Sequence, residues 1–149
     1  MPRLNRREAI ILGVGAFASL NVSATQAYAK NDSDELIKKF AGGKEPVKGK
    51  VKLDLPEIAE NGNTVPMNVA VESPMTEQSY VTELMIVADA NPRGGIVTFR
   101  FSPVSGIAEA NTRIRLAETQ NVIAVAKMND GSVFMDTKQV KVTIGGCGG

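Results

Sequence analysis

The sequence predicts an all-β protein, an immunoglobulin-like antiparallel β-sandwich. From about residue 50 onward, apolar and polar residues alternate with period two in seven short segments. Between them stand turn sequences such as Asn91-Pro-Arg-Gly-Gly95 and Asn129-Asp-Gly131, of the kind that join antiparallel neighbours. Short strands with turns at roughly ten-residue intervals are typical of two packed sheets. A small open barrel is the alternative.

The first 29 residues resemble an export signal that is removed from the mature protein. A basic start contains the pair Arg6-Arg7, an eleven-residue, moderately apolar stretch follows at 10–20, and Ala27-Tyr28-Ala29 provides a small-x-small cleavage site before Lys30. The arginine pair resembles a twin-arginine (Tat) signal, which exports proteins already folded. The apolar stretch is about half the length of roughly 20 residues that a membrane span needs. We therefore expect a periplasmic protein without a membrane anchor.

Removing the 29-residue signal from the 149-residue chain leaves 120 residues, enough for one domain with a core. The mature part has 14 basic and 15 acidic residues, because the signal takes three of the 17 basic and one of the 16 acidic residues. This balance argues against nucleic acid or an anionic membrane as partner.

The chain has no histidine, which excludes a Ser-His or Cys-His nucleophile pair and a histidine metal site.

The mature domain, residues 30–144, is predicted to begin with a short helix. Asp32, Ser33 and Asp34 can cap its N-terminus, residues 36, 37 and 40 form an apolar face, and Gly42-Gly43 ends it. The predicted strands are 51–55, 65–71, 80–88, 96–101, 112–117, 122–128 and 133–144. The segment 56–63 is interpreted as a polar connection with a turn at Asn61-Gly62. Segments 84–88 and 122–126 are continuously apolar, so both faces need cover, from the core or from a partner sheet.

Beyond the last strand, residues 145–149 are predicted to form a flexible arm. Cys147 is the only cysteine of the chain, and Gly145, Gly146, Gly148 and Gly149 surround it. Glycine tolerates φ of either sign, so this tether is thin and flexible. Fully extended, five residues span about 16 to 18 Å, enough to place the thiol in the cleft of another protein.

A single cysteine on such an arm, in a chain without histidine, cannot supply the several ligands of a metal site, so we expect none. Prenylation needs a cysteine fourth from the end, whereas Cys147 is third. An unpaired thiol in an exported protein indicates intermolecular or reactive use. Two interpretations remain open: covalent carriage of a group, or a disulfide with a partner.

The terminal Gly-Gly-Cys-Gly-Gly resembles that of the SoxY family, the sulfur-carrier subunit of the periplasmic Sox thiosulfate-oxidising system. Three internal segments add to the resemblance: Pro56-Glu-Ile-Ala-Glu-Asn-Gly-Asn-Thr-Val-Pro66, Ala88-Asp-Ala-Asn-Pro92 and Thr112-Arg-Ile-Arg-Leu116. The resemblance implies a non-catalytic carrier without a cofactor, on which Cys147 bears the sulfur intermediates, for example as a cysteine S-thiosulfonate. It also implies a heterodimer with a SoxZ-type subunit.

The resemblance further implies three kinds of enzyme that act on the arm. A haem protein couples thiosulfate to Cys147, a metal-dependent hydrolase releases sulfate, and a sulfane dehydrogenase or sulfurtransferase takes the remaining sulfur. The competing interpretation is an exported β-sandwich assembly module, in which Cys147 only makes an intermolecular disulfide.

Overall fold

A computed structural model describes residues 31–146, in which the chain forms two β-sheets and one short α-helix. The larger sheet has the strand order β1-β9-β8-β5-β6, with β3 also paired to β9, and the smaller sheet has the order β2-β4-β7. The elements are α1 (Ser33–Phe40), β1 (Val47–Lys48), β2 (Val51–Asp54), β3 (Ile58–Asn61), β4 (Val65–Val71), β5 (Val81–Ala88), β6 (Gly95–Arg100), a 3₁₀ turn (Pro103–Ser105), β7 (Ala108–Ile114), β8 (Gln120–Met128) and β9 (Val133–Ile144). The predicted all-β sandwich is confirmed.

The core lies between the two sheets and follows the period-two pattern of the sequence. Strand β4 buries every second residue, from Val65 to Val71, and leaves Pro66 exposed. From the larger sheet, Leu84 and Ile86 of β5 pack into the same apolar cluster and are fully buried. Each such side chain stabilises the fold by about 1.5–3 kcal/mol through removal from water. These strands make a rigid support for whatever is attached to their ends.

Helix α1 covers part of the outer face of the larger sheet. Its apolar side chains Ile37 and Phe40, together with Ala41, pack on Val125 and Val133. Cover by the helix explains in part why β5 and β8 are apolar on both faces. From the sequence alone, a partner sheet would have explained the same pattern equally well. No helix in the stretch 31–146 is long and apolar enough to cross a membrane.

The N-terminus of α1 is fastened by side chains in an arrangement that differs from the predicted cap. Asp32 occupies the cap position, but its Oδ1 accepts the Gly94 N–H at 2.7 Å, and Asn31 Oδ1 accepts the Ser33 N–H at 3.1 Å. Asn31 Nδ2 also donates to the carbonyl of Ala88 at 2.7 Å. Asp32 therefore stands at the predicted cap position, but its side chain makes no cap hydrogen bond. This carboxylate joins the helix to the β5–β6 loop instead.

The structure departs from a purely antiparallel sandwich at β9, whose outer edge carries two parallel partners. Strand β1 pairs along its first half, with Val47 opposite Phe134, and β3 pairs along its last residues, with Ala59 opposite Val142. Segment 56–63, interpreted as a polar connection, therefore contains a strand. Strand β8 pairs with β9 only as far as Val140. The final residues of β9 thus depend on β3 for their ladder.

The contact between α1 and the β5–β6 loop predicts different effects of alanine at two neighbouring glycines. A Cβ at Gly94 would lie 2.7 Å from Ser33 N and 2.8 Å from Ser33 Cα, whereas one at Gly95 would meet only Leu36 Cδ1, at 3.3 Å. We expect Gly94→Ala to lower the free energy of unfolding by about 1–3 kcal/mol, because the backbone must shift. We expect Gly95→Ala to change it by less than about 1 kcal/mol. Denaturant titration of both variants measures this, and equal effects would show that the helix does not dock as described.

Candidate functional site

The predicted functional site lies on the terminal arm, of which the structure describes the first two residues. Gly145 and Gly146 follow β9 directly. Cys147, Gly148 and Gly149 lie outside the described residues, and so do the signal residues Arg6, Arg7, Ala27 and Ala29. The geometry of the site is therefore that of the arm's root and the segments that surround it.

Three backbone hydrogen bonds hold the arm's root through the turn after β3. The Gly62 N–H donates to the carbonyl of Ile144 at 2.8 Å, and the Gly62 carbonyl accepts the Leu116 N–H at 2.8 Å. The Leu116 carbonyl in turn accepts the Gly146 N–H at 2.9 Å. We call Gly62, Leu116, Gly145 and Gly146 the root clamp. It ties the end of β9 to the β3–β4 turn and to the segment that follows β7.

All three glycines of the root clamp are required by close approach of backbone to backbone. A Cβ at Gly62 would lie 2.2 Å from the Leu116 carbonyl oxygen and 2.6 Å from Gly146 N. One at Gly145 would lie 2.1 Å from the Ala117 oxygen, and one at Gly146 would lie 2.7 Å from the Gly62 oxygen. Real Cβ contacts do not come below about 3 Å, so any side chain here would force the segments apart. The glycines of the root thus permit close packing of the backbone, and the flexibility predicted for the arm stays a prediction.

Two amide side chains fix the segment that receives the arm. Asn91 Oδ1 accepts the Ala117 N–H at 2.9 Å and Gln120 Nε2 at 2.8 Å, while Asn91 Nδ2 donates to the Arg115 carbonyl at 2.9 Å. Gln120 is only 3% exposed, and its Oε1 accepts the Ala90 N–H at 2.9 Å. Buried amides with satisfied donors and acceptors define one geometry, since an unpaired group would be costly. Residues 115–120 are consequently held against the β5–β6 loop.

The root lies at the surface of the domain. Gly146 is buried, Gly145 is exposed, and the Ile144 side chain is 66% exposed. Cys147 follows the clamped Gly146 directly in the sequence. Within residues 31–146, no group of three or more histidine, cysteine or carboxylate side chains is placed to hold a metal ion. This arrangement can support thiol chemistry, with the cysteine attached directly after the clamped Gly146.

The structure brings together the segments that carried the family resemblance. Gly62 comes from 56–66, Asn91 from 88–92 and Leu116 from 112–116, and they meet at the first glycines of the tail. The sequence analysis assigned Asn61-Gly62 and Asn91 to turns, and it did not single out Gln120. No sequence pattern shows that these turns contact the tail, because the contacts are made by backbone groups that every residue has.

Comparisons with known proteins agree with this geometry. Residues 37–147 match the family of the sulfur oxidation protein SoxY, so the matched range ends at Cys147. The solved structure of the sulfur carrier protein SoxY from Chlorobium limicola f thiosulfatophilum is 31% identical in sequence, with a TM-score of 0.61. The match covers 74% of this chain and 96% of that one. No curated protein matched the sequence.

A second similarity concerns the fold alone. A superoxide reductase (neelaredoxin) from Ignicoccus hospitalis matches with a TM-score of 0.56 over 63% of this chain and 80% of its own, at 15% identity. Identity this low indicates a common scaffold and carries no inference about activity. The family match covers most of the chain, and the SoxY structure exceeds 30% identity over nearly its whole length. The chain therefore belongs to the SoxY family.

Proposed function

We propose that this protein is a covalent carrier of sulfur intermediates in thiosulfate oxidation and that Cys147 is the attachment point. One observation supports the proposal above all others. In a chain of the SoxY family, the residue before Cys147 is clamped to the folded domain by a hydrogen bond to Leu116. A carrier needs a reactive group beyond a fixed root, and the root clamp provides that root.

The proposed attachment forms one sulfur–sulfur bond and removes two electrons. The Cys147 thiol and thiosulfate give Cys–S–S–SO₃⁻ with loss of one proton, so an oxidant must accept the electron pair. We propose that a haem-containing coupling enzyme accepts it. No side chain of the root clamp takes part in the redox step, because its contacts are made by backbone groups. The carrier therefore supplies position, and the partner supplies the chemistry.

The proposed release of sulfate needs no external oxidant or reductant, because the sulfane sulfur keeps the electron pair of the broken bond. Water attacks the sulfonate sulfur, the bond between the terminal and the sulfane sulfur breaks, and Cys–S–SH, sulfate and a proton are formed. A metal-dependent hydrolase suits this step, since a bound metal ion can activate water at neutral pH. The remaining sulfane sulfur passes to a sulfane dehydrogenase or a sulfurtransferase. Cys147 is then free for another cycle.

A tethered intermediate suits a sequence of several enzymes. A short flexible linker holds its load at an effective concentration of about millimolar near each docked partner, independent of the concentration in solution. We expect a SoxZ-type subunit as the permanent partner, export by the Tat-like signal to the periplasm, and no resident cofactor. The protein itself would then be non-catalytic.

Incubation with thiosulfate tests the carrier role. We expect the mature protein to gain the mass of a thiosulfonate at Cys147 only when the coupling enzyme and an electron acceptor are present. Cys147→Ser should abolish loading completely while it leaves the free energy of unfolding within about 0.5 kcal/mol of wild type. Intact-mass spectrometry and denaturant titration give the two readouts.

A relocated thiol serves as the matched control. Val104 is 94% exposed, so Cys147→Ser/Val104→Cys carries an accessible thiol on the folded domain in place of the one on the arm. We expect this variant to stay unloaded. If this variant is loaded as fast as the wild-type protein, a role for the arm is contradicted. Normal sulfur oxidation by Cys147→Ser, with loss of only a covalent dimer, would instead support the assembly module.

The root clamp predicts the effect of a methyl group at Gly145. In Gly145→Ala the new Cβ would collide with the Ala117 oxygen, so the root must leave its place and the hydrogen bond from Gly146 N must break. We expect faster amide hydrogen exchange at Gly146 with unchanged protection of Val125 in the core. Loading by the coupling enzyme should slow by roughly 10- to 100-fold, because the thiol is presented from a wrong position.

Gly95→Ala is the control for this experiment, since its Cβ meets only the end of the Leu36 side chain. It should leave both exchange at Gly146 and loading at the wild-type level. If Gly145→Ala loads as fast as wild type although the Gly146 amide is deprotected, a fixed root is not needed for carriage.

A further inference from the structure

Three arginines line one open pocket next to the root clamp. Arg93 comes from the β5–β6 loop, and Arg113 and Arg115 come from β7 and the residues that follow it. The pocket has a volume of about 380 Å³, and Asn91 also forms part of its wall. Since Arg113 and Arg115 are two positions apart, an extended backbone directs both side chains to the same face. Two distant segments thus bring three arginine residues to the wall of one space.

The positive charge of this pocket is not balanced by ion pairs within the described domain. Over residues 31–146 the ion pairs join Glu83 to Arg100 and to Lys127, and none involves the pocket arginines. None of the residues that line the pocket is acidic. Like charges around one concave space repel each other and raise the local concentration of anions. The pocket therefore favours an anionic ligand.

The pocket is held in place by two of its own hydrogen bonds. Arg113 Nη1 donates to Thr64 Oγ1 at 3.3 Å, so one nitrogen of that guanidinium is held by the residue just before β4. The Arg115 carbonyl accepts Asn91 Nδ2, so the backbone that carries Arg115 is joined to the loop that carries Arg93. The spacing between the two sides of the pocket is consequently set by the fold.

The pocket and the arm start from adjacent backbone. Arg115 immediately precedes Leu116, whose carbonyl accepts the Gly146 N–H at 2.9 Å, and Cys147 immediately follows Gly146. The last described residue of the arm is therefore hydrogen-bonded to the residue next to Arg115.

We propose that the Arg93–Arg113–Arg115 pocket is an oxyanion site that receives the sulfonate end of the group carried on Cys147. This inference rests on the proposed carrier function and extends it to a resting position for the loaded arm. Guanidinium groups match the planar, multi-oxygen face of a sulfonate through paired N–H donors. The unloaded thiol has no such group, so the site distinguishes loaded from unloaded arm.

A weak affinity of the pocket for the sulfonate is sufficient to hold the loaded arm, and it is also necessary so that the arm can leave. The pocket arginines are exposed, so water and salt weaken the attraction of each for an anion. We expect a free oxyanion to bind with a dissociation constant on the order of millimolar. On the arm, the same group is present at an effective concentration of about millimolar, so the site is occupied for a large fraction of the time. It still releases the load to a partner enzyme.

The site can be tested without any partner enzyme. The probe is thiosulfate, added to ¹⁵N-labelled mature Cys147→Ser protein at constant ionic strength set with chloride. We expect saturable shifts of the amide signals of residues 91–95 and 113–115 with a millimolar midpoint. Arg93→Gln/Arg115→Gln should raise the midpoint by about 5- to 30-fold, which corresponds to roughly 1–2 kcal/mol for two lost contacts.

The control removes two positive charges elsewhere. Lys52 and Lys138 are exposed residues of β2 and β9, and Lys52→Gln/Lys138→Gln should keep the wild-type midpoint. Equal weakening by both double variants would reduce the effect to net charge and overturn the site. Shifts confined to other parts of the domain would overturn it as well.

A second measurement connects the site to the arm. Tetrathionate loads the wild-type thiol chemically, since the thiolate attacks a sulfane sulfur, thiosulfate leaves with the electron pair of the broken bond, and Cys–S–S–SO₃⁻ forms. After the released thiosulfate and excess tetrathionate are removed by desalting, the loaded protein should show shifts of the same amide signals, and Arg93→Gln/Arg115→Gln should abolish these shifts. If they are absent in the loaded wild type, the arm does not rest in the pocket. Because loading here is chemical, failure of the carrier function would appear separately, as absence of enzymatic loading.

Discussion

The hydrogen bond from Gly146 N to the Leu116 carbonyl is the contact on which the account of this protein depends. It is the last described bond before Cys147, and it closes a set of three bonds that begins at the Ile144 carbonyl. A methyl group on any of the three clamp glycines would be too close to a backbone atom of a neighbouring segment. At these three positions glycine is therefore required because it lets the backbone segments approach each other closely.

The sandwich provides this contact through an element that crosses between its sheets. The pairing of β9 with β8 ends at Val140, and β9 pairs with β3 from Lys141 to Ile144. After β3 the chain turns at Gly62 and continues into β4 of the smaller sheet. The turn is thus rigidly connected to both sheets. A superoxide reductase has a similar fold, which indicates that the scaffold itself does not determine the chemistry. In this chain, the root clamp and the cysteine-containing tail are located at the C-terminal end of β9.

Period-two alternation was sufficient to predict the sandwich and most of its strands, because core burial imposes that pattern directly on strands such as β2 and β4. It could not reveal β3, since Ile58 is 59% exposed and only Ala59 of the four residues is buried. The family resemblance identified the segments that meet at the arm's root. Why they meet was not predictable, because the contacts join backbone groups of residues far apart in the chain. The roles of Gly148, Gly149 and the export signal stay predictions.

We propose that the chain is fixed up to Gly146 and free beyond it, and the carrier function depends on this property. ¹⁵N relaxation of the mature protein measures this directly, residue by residue. The account predicts backbone order parameters near 0.85 through Ile144 and Gly146, and values below about 0.6 at Cys147, Gly148 and Gly149 of the unloaded arm. Low values that already begin at Gly145, or high values that continue to Gly149, would contradict it.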